Sequence, residues 1–174
     1  VKKRAKKMSL LEPNELARLI EKKSIPYVIG PQGEIYIVDH HHLCRALWSI
    51  GQKKAVLGKE LADWSDLEVK EFWRRMDKNG YCWAIDSQGH RRPYSAIPRH
   101  VSDLTDNVWR SLARAIRGDA FTNQDTPFQE FIWGDYFRTF MTQRLLEHDF
   151  DLAKKVANHI AHFKEAEDLP GYKL

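Results

Sequence analysis

Cysteine is scarce in this sequence: among 174 residues only Cys44 and Cys82 occur, far apart and without a Cys-x-x-Cys spacing. That excludes a disulfide framework and a zinc knuckle, and it predicts two reduced, buried thiols. Also missing is any apolar run near the roughly 18 to 20 uncharged residues that cross a bilayer. The basic start has no apolar region behind it, so a signal peptide is not expected, and neither is membrane attachment; the expected location is cytoplasmic. Excess charge is scarce too. The formal net charge is +4, but the opening VKKRAKK alone carries Lys2, Lys3, Arg4, Lys6 and Lys7. Without them the remainder is close to neutral. A broad basic face that neutralises many phosphates is therefore excluded, long DNA is a weakly supported partner, and a localised anion site stays open.

What is present is the composition of a folded protein, 43% apolar and 11% aromatic, with no internal repeat or low-complexity tract. Residues 12–23, EPNELARLIEKK, place Pro13 in a first turn and Leu16, Leu19 and Ile20 on one face, which predicts a helix. Two apolar runs follow, IPYVI and EIYIV, separated by GPQG, a hairpin or a pair of neighbouring strands. Leu43, Ala46, Leu47 and Ile50 then recur at helical spacing, with Gly51 at the stop. KAVLGKELAD, residues 54–63, reads as a strand. SDLE at residues 65–68 reads as a capping box that opens a helix to about Asp77, and YCWAID reads as a further strand. Beyond Arg99 the periods are helical in DNVWRSLARAIRG, TPFQEFIWGDYFRTFMTQRLL and DLAKKVANHIAHFKEA, with a second capping box at Thr126 to Gln129. The expected architecture is α+β: residues 1–98 forming a small mixed sheet with helices, and residues 99–174 a helical subdomain packed on it.

The chemistry concentrates where the second apolar run meets the helix, in VDHHHLCRAL. A helix N-terminus offers backbone N–H groups and a partial positive charge, a natural anion site. Asp39 is the expected N-cap, with His40, His41 and His42 in the first turn. Three protonated imidazoles there would oppose the helix dipole, whereas a bound phosphate would remove the conflict. Arg45 lies one turn beyond His41 and His42, so the three side chains are expected to converge on one ligand. An arginine fork suits phosphate oxygens, and a histidine can move a proton near neutral pH. Asp39 is a candidate base or ligand for a hard divalent cation. Cys44, with no cation placed to lower its pKa at a helix start, is expected to be a packed residue and not a nucleophile.

In these residues the sequence resembles the ParB/sulfiredoxin superfamily, and more closely its subgroup of ParB-like nucleases. The matching positions are Gly30, Pro31, Gly33, Tyr36, Asp39, His40, His41, His42, Leu43, Arg45, Ala46, Leu47 and Gly51. The resemblance implies a ParB-like α+β fold whose strand-to-helix corner binds phosphate, of CTP in ParB-type switches and of ADP or ATP in related kinases. It also implies a lysine in the N-terminal segment, placed at Lys3, and a cleft contribution from Arg110 or Asp106 in DNVWRS. Two departures limit what carries over. Cys44 follows the histidines, unlike the reactive cysteine of sulfiredoxin, and no helix-turn-helix DNA reader is evident.

Other clusters have plainer readings. His159 and His162 are one turn apart with no third ligand to name, and the aromatic spacing from Trp109 to Phe140 reads as core. The functional expectation is a phosphate-ester enzyme, nuclease or nucleotide-dependent phosphotransferase. Asp39, His41 and His42 would be catalytic, and Lys3, His40, Arg45 and Arg110 would bind phosphate. The implied cofactors are Mg2+, on Asp39, and a nucleotide such as ATP, ADP or CTP. The alternative is a non-catalytic nucleotide-binding switch of the ParB type.

Overall fold

The computed structural model describes residues 2–52 and 55–174, without the side chains of residues 2 and 3. The fold is α+β, a small mixed sheet with helices followed by a mostly helical C-terminal part. Two compact units divide it: the chain up to Ala84 together with Pro93–Leu104, and Ile85–Arg92 together with Thr105–Leu174.

In the first unit the basic opening forms a helix, α1 (Lys2–Met8). Ala5 and Met8, one turn apart, bury their side chains with Leu43, Ala46 and Leu47, which fixes the segment as helix. α2 (Pro13–Lys22) starts on Pro13 as its spacing predicts, and the Glu15 carboxylate accepts the Glu12 N–H at 3.1 Å. Ile20, Leu16 and Leu19 join the same cluster.

The expected hairpin is present: β1 (Ile25–Ile29) pairs antiparallel with β2 (Ile35–Ile37), with Val28 opposite Tyr36. β3 (Leu57–Asp63) lies parallel on the other side of β1, giving the order β2-β1-β3. The strand expected from Lys54 onward thus begins at Leu57, and Lys54 itself lies outside the described residues. β1 carries Pro26, which has no N–H for a ladder, and the register against β3 shifts between Ile25 and Tyr27. Gly30 ends β1 where a Cβ would stand 2.5 Å from the Tyr36 ring and 2.8 Å from Phe72. The glycine is required for that close approach, and it sets where the chain re-enters the sheet as β2.

α3 (His41–Ser49) buries Leu43, Ala46 and Leu47, the predicted stripe, and Gly51 follows with φ +75°. α4 (Val69–Lys78) starts later than SDLE suggests. Glu68 is its N-cap, and the Ser65 N–H donates to the Asp63 carboxylate at 3.0 Å, so the chain makes a turn before the helix. Phe72 and Met76 bury one face of α4 against Val28 and Cys82. YCWAID does not form the expected strand; its Ile85 makes one isolated bridge, to Arg91.

The second unit holds α5 (Val108–Ile116), α6 (Gln129–Phe137), α7 (Gln143–His148) and α8 (Phe150–Ile160). Asn107 caps α5 by accepting the Arg110 N–H at 3.0 Å. Thr126 is not a cap. Phe128, left-handed with φ 59°, opens α6, and the buried Gln129 amide instead donates to the Thr122 and Pro170 carbonyls, at 2.8 Å each. The long aromatic stretch therefore splits into α6 and α7. Its rings are core, as expected: Trp133 stacks on Phe121 at 4.4 Å and packs beside Phe137. Ala113, Ala153 and Ala157 are fully buried in the same cluster, where small side chains let helices come close. Cys44 and Cys82 are both buried and form no disulfide.

Candidate functional site

β2 leads into the corner. Val38 still donates its N–H to the Pro26 carbonyl at 3.0 Å, which keeps the chain extended past the end of the strand and leaves two residues for the reversal into α3. His40 makes that reversal with φ 65° and ψ 17°, and it, not Asp39, is the N-cap. A left-handed non-glycine residue costs of order 1–3 kcal/mol, and such strain collects at functional sites. Asp39 stands one residue earlier: its carboxylate accepts the His40 N–H, and Oδ2 lies 3.4 Å from His40 Nδ1. The His40 carbonyl takes the Leu43 and Cys44 N–H groups at 2.8 and 3.0 Å, closing the first turn. The Asp39 side chain is 73% exposed and that of His40 33%.

His41 is half-buried, and burial holds its pKa below the ordinary 6.5. The Asp39 charge and a hydrogen bond with the Ile37 backbone oppose that shift, and His40 adds to it slightly. The imidazole is therefore neutral at pH 7, which removes the conflict with the helix dipole and leaves it able to take up a proton. His42 follows in the same turn, also half-buried. Arg45 departs from expectation. Its Nη1 donates to Ser49 Oγ at 3.2 Å while the Ser49 hydroxyl donates to the Arg45 carbonyl at 2.7 Å, so the guanidinium is turned toward the C-terminal end of α3 and away from the histidines. Cys44 is held by burial above the usual thiol range, as a packed and unreactive thiol would be.

The other expected phosphate ligands are distributed differently. The side chain of Lys3 lies outside the described residues, while its backbone is part of α1. Arg110 belongs to the second unit, where its guanidinium lies 3.8 Å from Glu130. One cation missed by reading the sequence is Arg4, whose charge reaches Cys44 on α3 and partly offsets the rise of the thiol. The spacing of Ala5 and Met8, which seats α1 on α3, was the signal available. His100 was also passed over. It lies edge-on against Trp48 of α3 at 4.4 Å, with Ser102 Oγ 2.6 Å from its Nδ1.

Among the described residues no three His, Cys, Asp or Glu side chains gather into a metal-binding group. The carboxylate at the corner is that of Asp39, which accepts the His40 N–H.

A family model described as "Putative ParB-like nuclease" matches residues 1–139, and the chain belongs to that family. The crystal structure of protein Atu1540 from Agrobacterium tumefaciens is similar to it, with a TM-score of 0.86 and 35% sequence identity over 99% of this chain and 85% of that one. No curated protein matches the chain. Among the described residues, no helix is long and apolar enough to cross a membrane.

Proposed function

We propose that the chain is a phosphate-ester enzyme, a nuclease or a nucleotide-dependent phosphotransferase, with its phosphate site at the corner from Asp39 to His42. The observation that carries the reading is the half-buried His41 in the first turn of α3, beside the left-handed His40 and an exposed carboxylate, with burial holding its pKa below the ordinary value. The opening amides of α3 and the imidazoles of His41 and His42 bind the phosphate oxygens, and His41 passes a proton as charge develops there. Asp39 serves as base or as the Mg2+ ligand, and His40 supports it at 3.4 Å. A bound Mg2+ would neutralise charge on the reacting phosphate. Arg45 reaches the phosphate only by leaving Ser49, so it closes on a ligand and does not wait for one. Lys3 is the further positive charge assigned to this site.

The test is a thermal-shift panel with ATP, ADP, CTP and a short DNA, with and without Mg2+, followed by turnover assays. Ligand should raise the melting temperature. His41→Ala and Asp39→Asn should abolish turnover and keep part of the affinity. No shift with any ligand at millimolar concentration would sink the site. A second reading, a non-catalytic nucleotide switch, is favoured by Asp39 being already engaged with the His40 N–H and by Arg45 being turned to Ser49. In that case ligand binds and nothing turns over.

A further inference from the structure

Away from the corner, the outward face of α4 has a pattern of its own. Glu71, Arg74, Arg75, Lys78 and Asn79 recur at i, i+3, i+4, i+7 and i+8, and with Trp64 they line an open cleft of about 540 Å³. Glu71 holds both guanidiniums: Arg74 Nε and Nη2 donate to it at 2.9 and 3.3 Å, and Arg75 Nε at 3.2 Å. One carboxylate thus aligns two arginines, and the stripe keeps an excess of two positive charges. Arg75 and Lys78 stand in the last turn, where the helix dipole favours cations, but Arg74 does not. Arg74 and Lys78 also sit at i, i+4, a like-charge spacing that works against the helix unless an outside anion lies across it. The opposite face of α4 is committed to the core through Phe72, whose ring lies 4.6 Å from that of Tyr36 on β2.

From Glu71 to Asn79 the stripe runs about 12 Å at 1.5 Å per residue, longer than one phosphate group. We infer that it binds the backbone of a single-stranded nucleic acid, with Arg74, Arg75 and Lys78 on successive phosphates. Base stacking is not the recognition element, because the Trp64 ring is already engaged, with the Arg75 guanidinium 6.0 Å above it and Tyr81 stacked at 6.1 Å. The small size of the patch agrees with a near-neutral chain: it grips a few phosphates of a flexible strand and not a long duplex. This goes beyond the corner site and does not depend on it.

The experiment is fluorescence anisotropy with a labelled oligothymidine at several salt concentrations. Arg74→Gln with Lys78→Gln should weaken binding roughly tenfold and make the log-affinity against log-salt slope shallower by about 1.4, two phosphate contacts on a single strand. Arg74 is 78% exposed, so folding is not at risk, and a melt on each variant checks it. Glu71→Gln removes the internal competitor and should tighten binding, an effect a merely structural salt bridge would not produce. The double variant should keep the wild-type thermal shift with ATP, which separates this site from the corner. Unchanged affinity and slope in the double variant would overturn the inference, and so would a poly-glutamate peptide displacing the strand at equal charge, which would reassign the cleft to acidic polypeptides.

Discussion

Two regions of this molecule gather charged and titratable side chains, and they do so in opposite ways. In the second unit Glu130, only 14% exposed, sits among Arg117 at 2.9 Å, Arg110 at 3.8 Å and Arg114 at 3.9 Å. There α5 and α6 turn their charges toward one another around a shielded carboxylate. At the corner Asp39 is mostly in water, His40 is in a left-handed conformation, and the neutral His41 carries no charge to balance. The first arrangement sets three guanidiniums around one carboxylate. The second keeps a left-handed residue and an exposed carboxylate at a helix end, and backbone strain of that kind collects at functional sites.

The contrast predicts where substitutions hurt stability. Glu130→Ala leaves three guanidiniums with no anion between them and should cost about 3 kcal/mol in urea unfolding, in line with the loss of one member of a shielded ion pair. Asp39→Ala, exposed, should cost less than about 0.5 kcal/mol in the same measurement while removing activity. If the two costs come out equal, the corner is structural and the contrast fails. Gly30→Ala forces a methyl into the rings of Tyr36 and Phe72 and should cost about 2 kcal/mol, an overpacking effect that also misplaces the strand feeding the corner.

A gentler change sharpens the same point. His40→Gly accepts φ 65° without strain and should stabilise the fold by up to about 1 kcal/mol by chemical denaturation. Phosphate binding should weaken in the same variant. A variant both less stable and fully active would mean that His40 is there for the fold.

Much of this was legible in the sequence, for physical reasons that can be named. GPQG between two apolar runs gave the hairpin, and the spacing of Leu43, Ala46, Leu47 and Ile50 gave α3, because burial on one face decides both. The identity of the cap was not legible. Asp outranks His as an N-cap, but Val38 remains bonded to Pro26, so the reversal falls one residue later than cap preference suggests. The S-x-x-E and T-x-x-Q patterns at Ser65 and Thr126 also misled: Ser65 goes into a turn on Asp63, and the Gln129 amide goes to the Thr122 and Pro170 carbonyls. Arg45 lies on the expected face of α3, yet Ser49 at i+4 competes for its guanidinium, and sequence spacing does not rank those two partners. YCWAID has strand composition, but it buries Cys82 and Ala84 without joining the sheet.

The smallest effect tests the protonation state on which the corner's chemistry depends. His41 has a folded pKa below 6.5 because burial disfavours its charged form. As pH falls below 6.5 the unfolded chain takes up the proton first, so unfolding becomes easier; above 6.5 this contribution to stability is fully present. The melting temperature of the wild type should therefore decline from about pH 7 to pH 5 more steeply than that of His41→Gln, the difference between the two curves cancelling the other histidines. A phosphate ligand reverses the sign, since an oxyanion beside the imidazole favours its protonated form. Binding should then draw in a proton, measurable as a buffer-dependent heat in calorimetry that disappears in His41→Gln. Identical pH curves for the two proteins would mean that His41 is not held neutral by the fold, and the proton-transfer role would have to move to another residue.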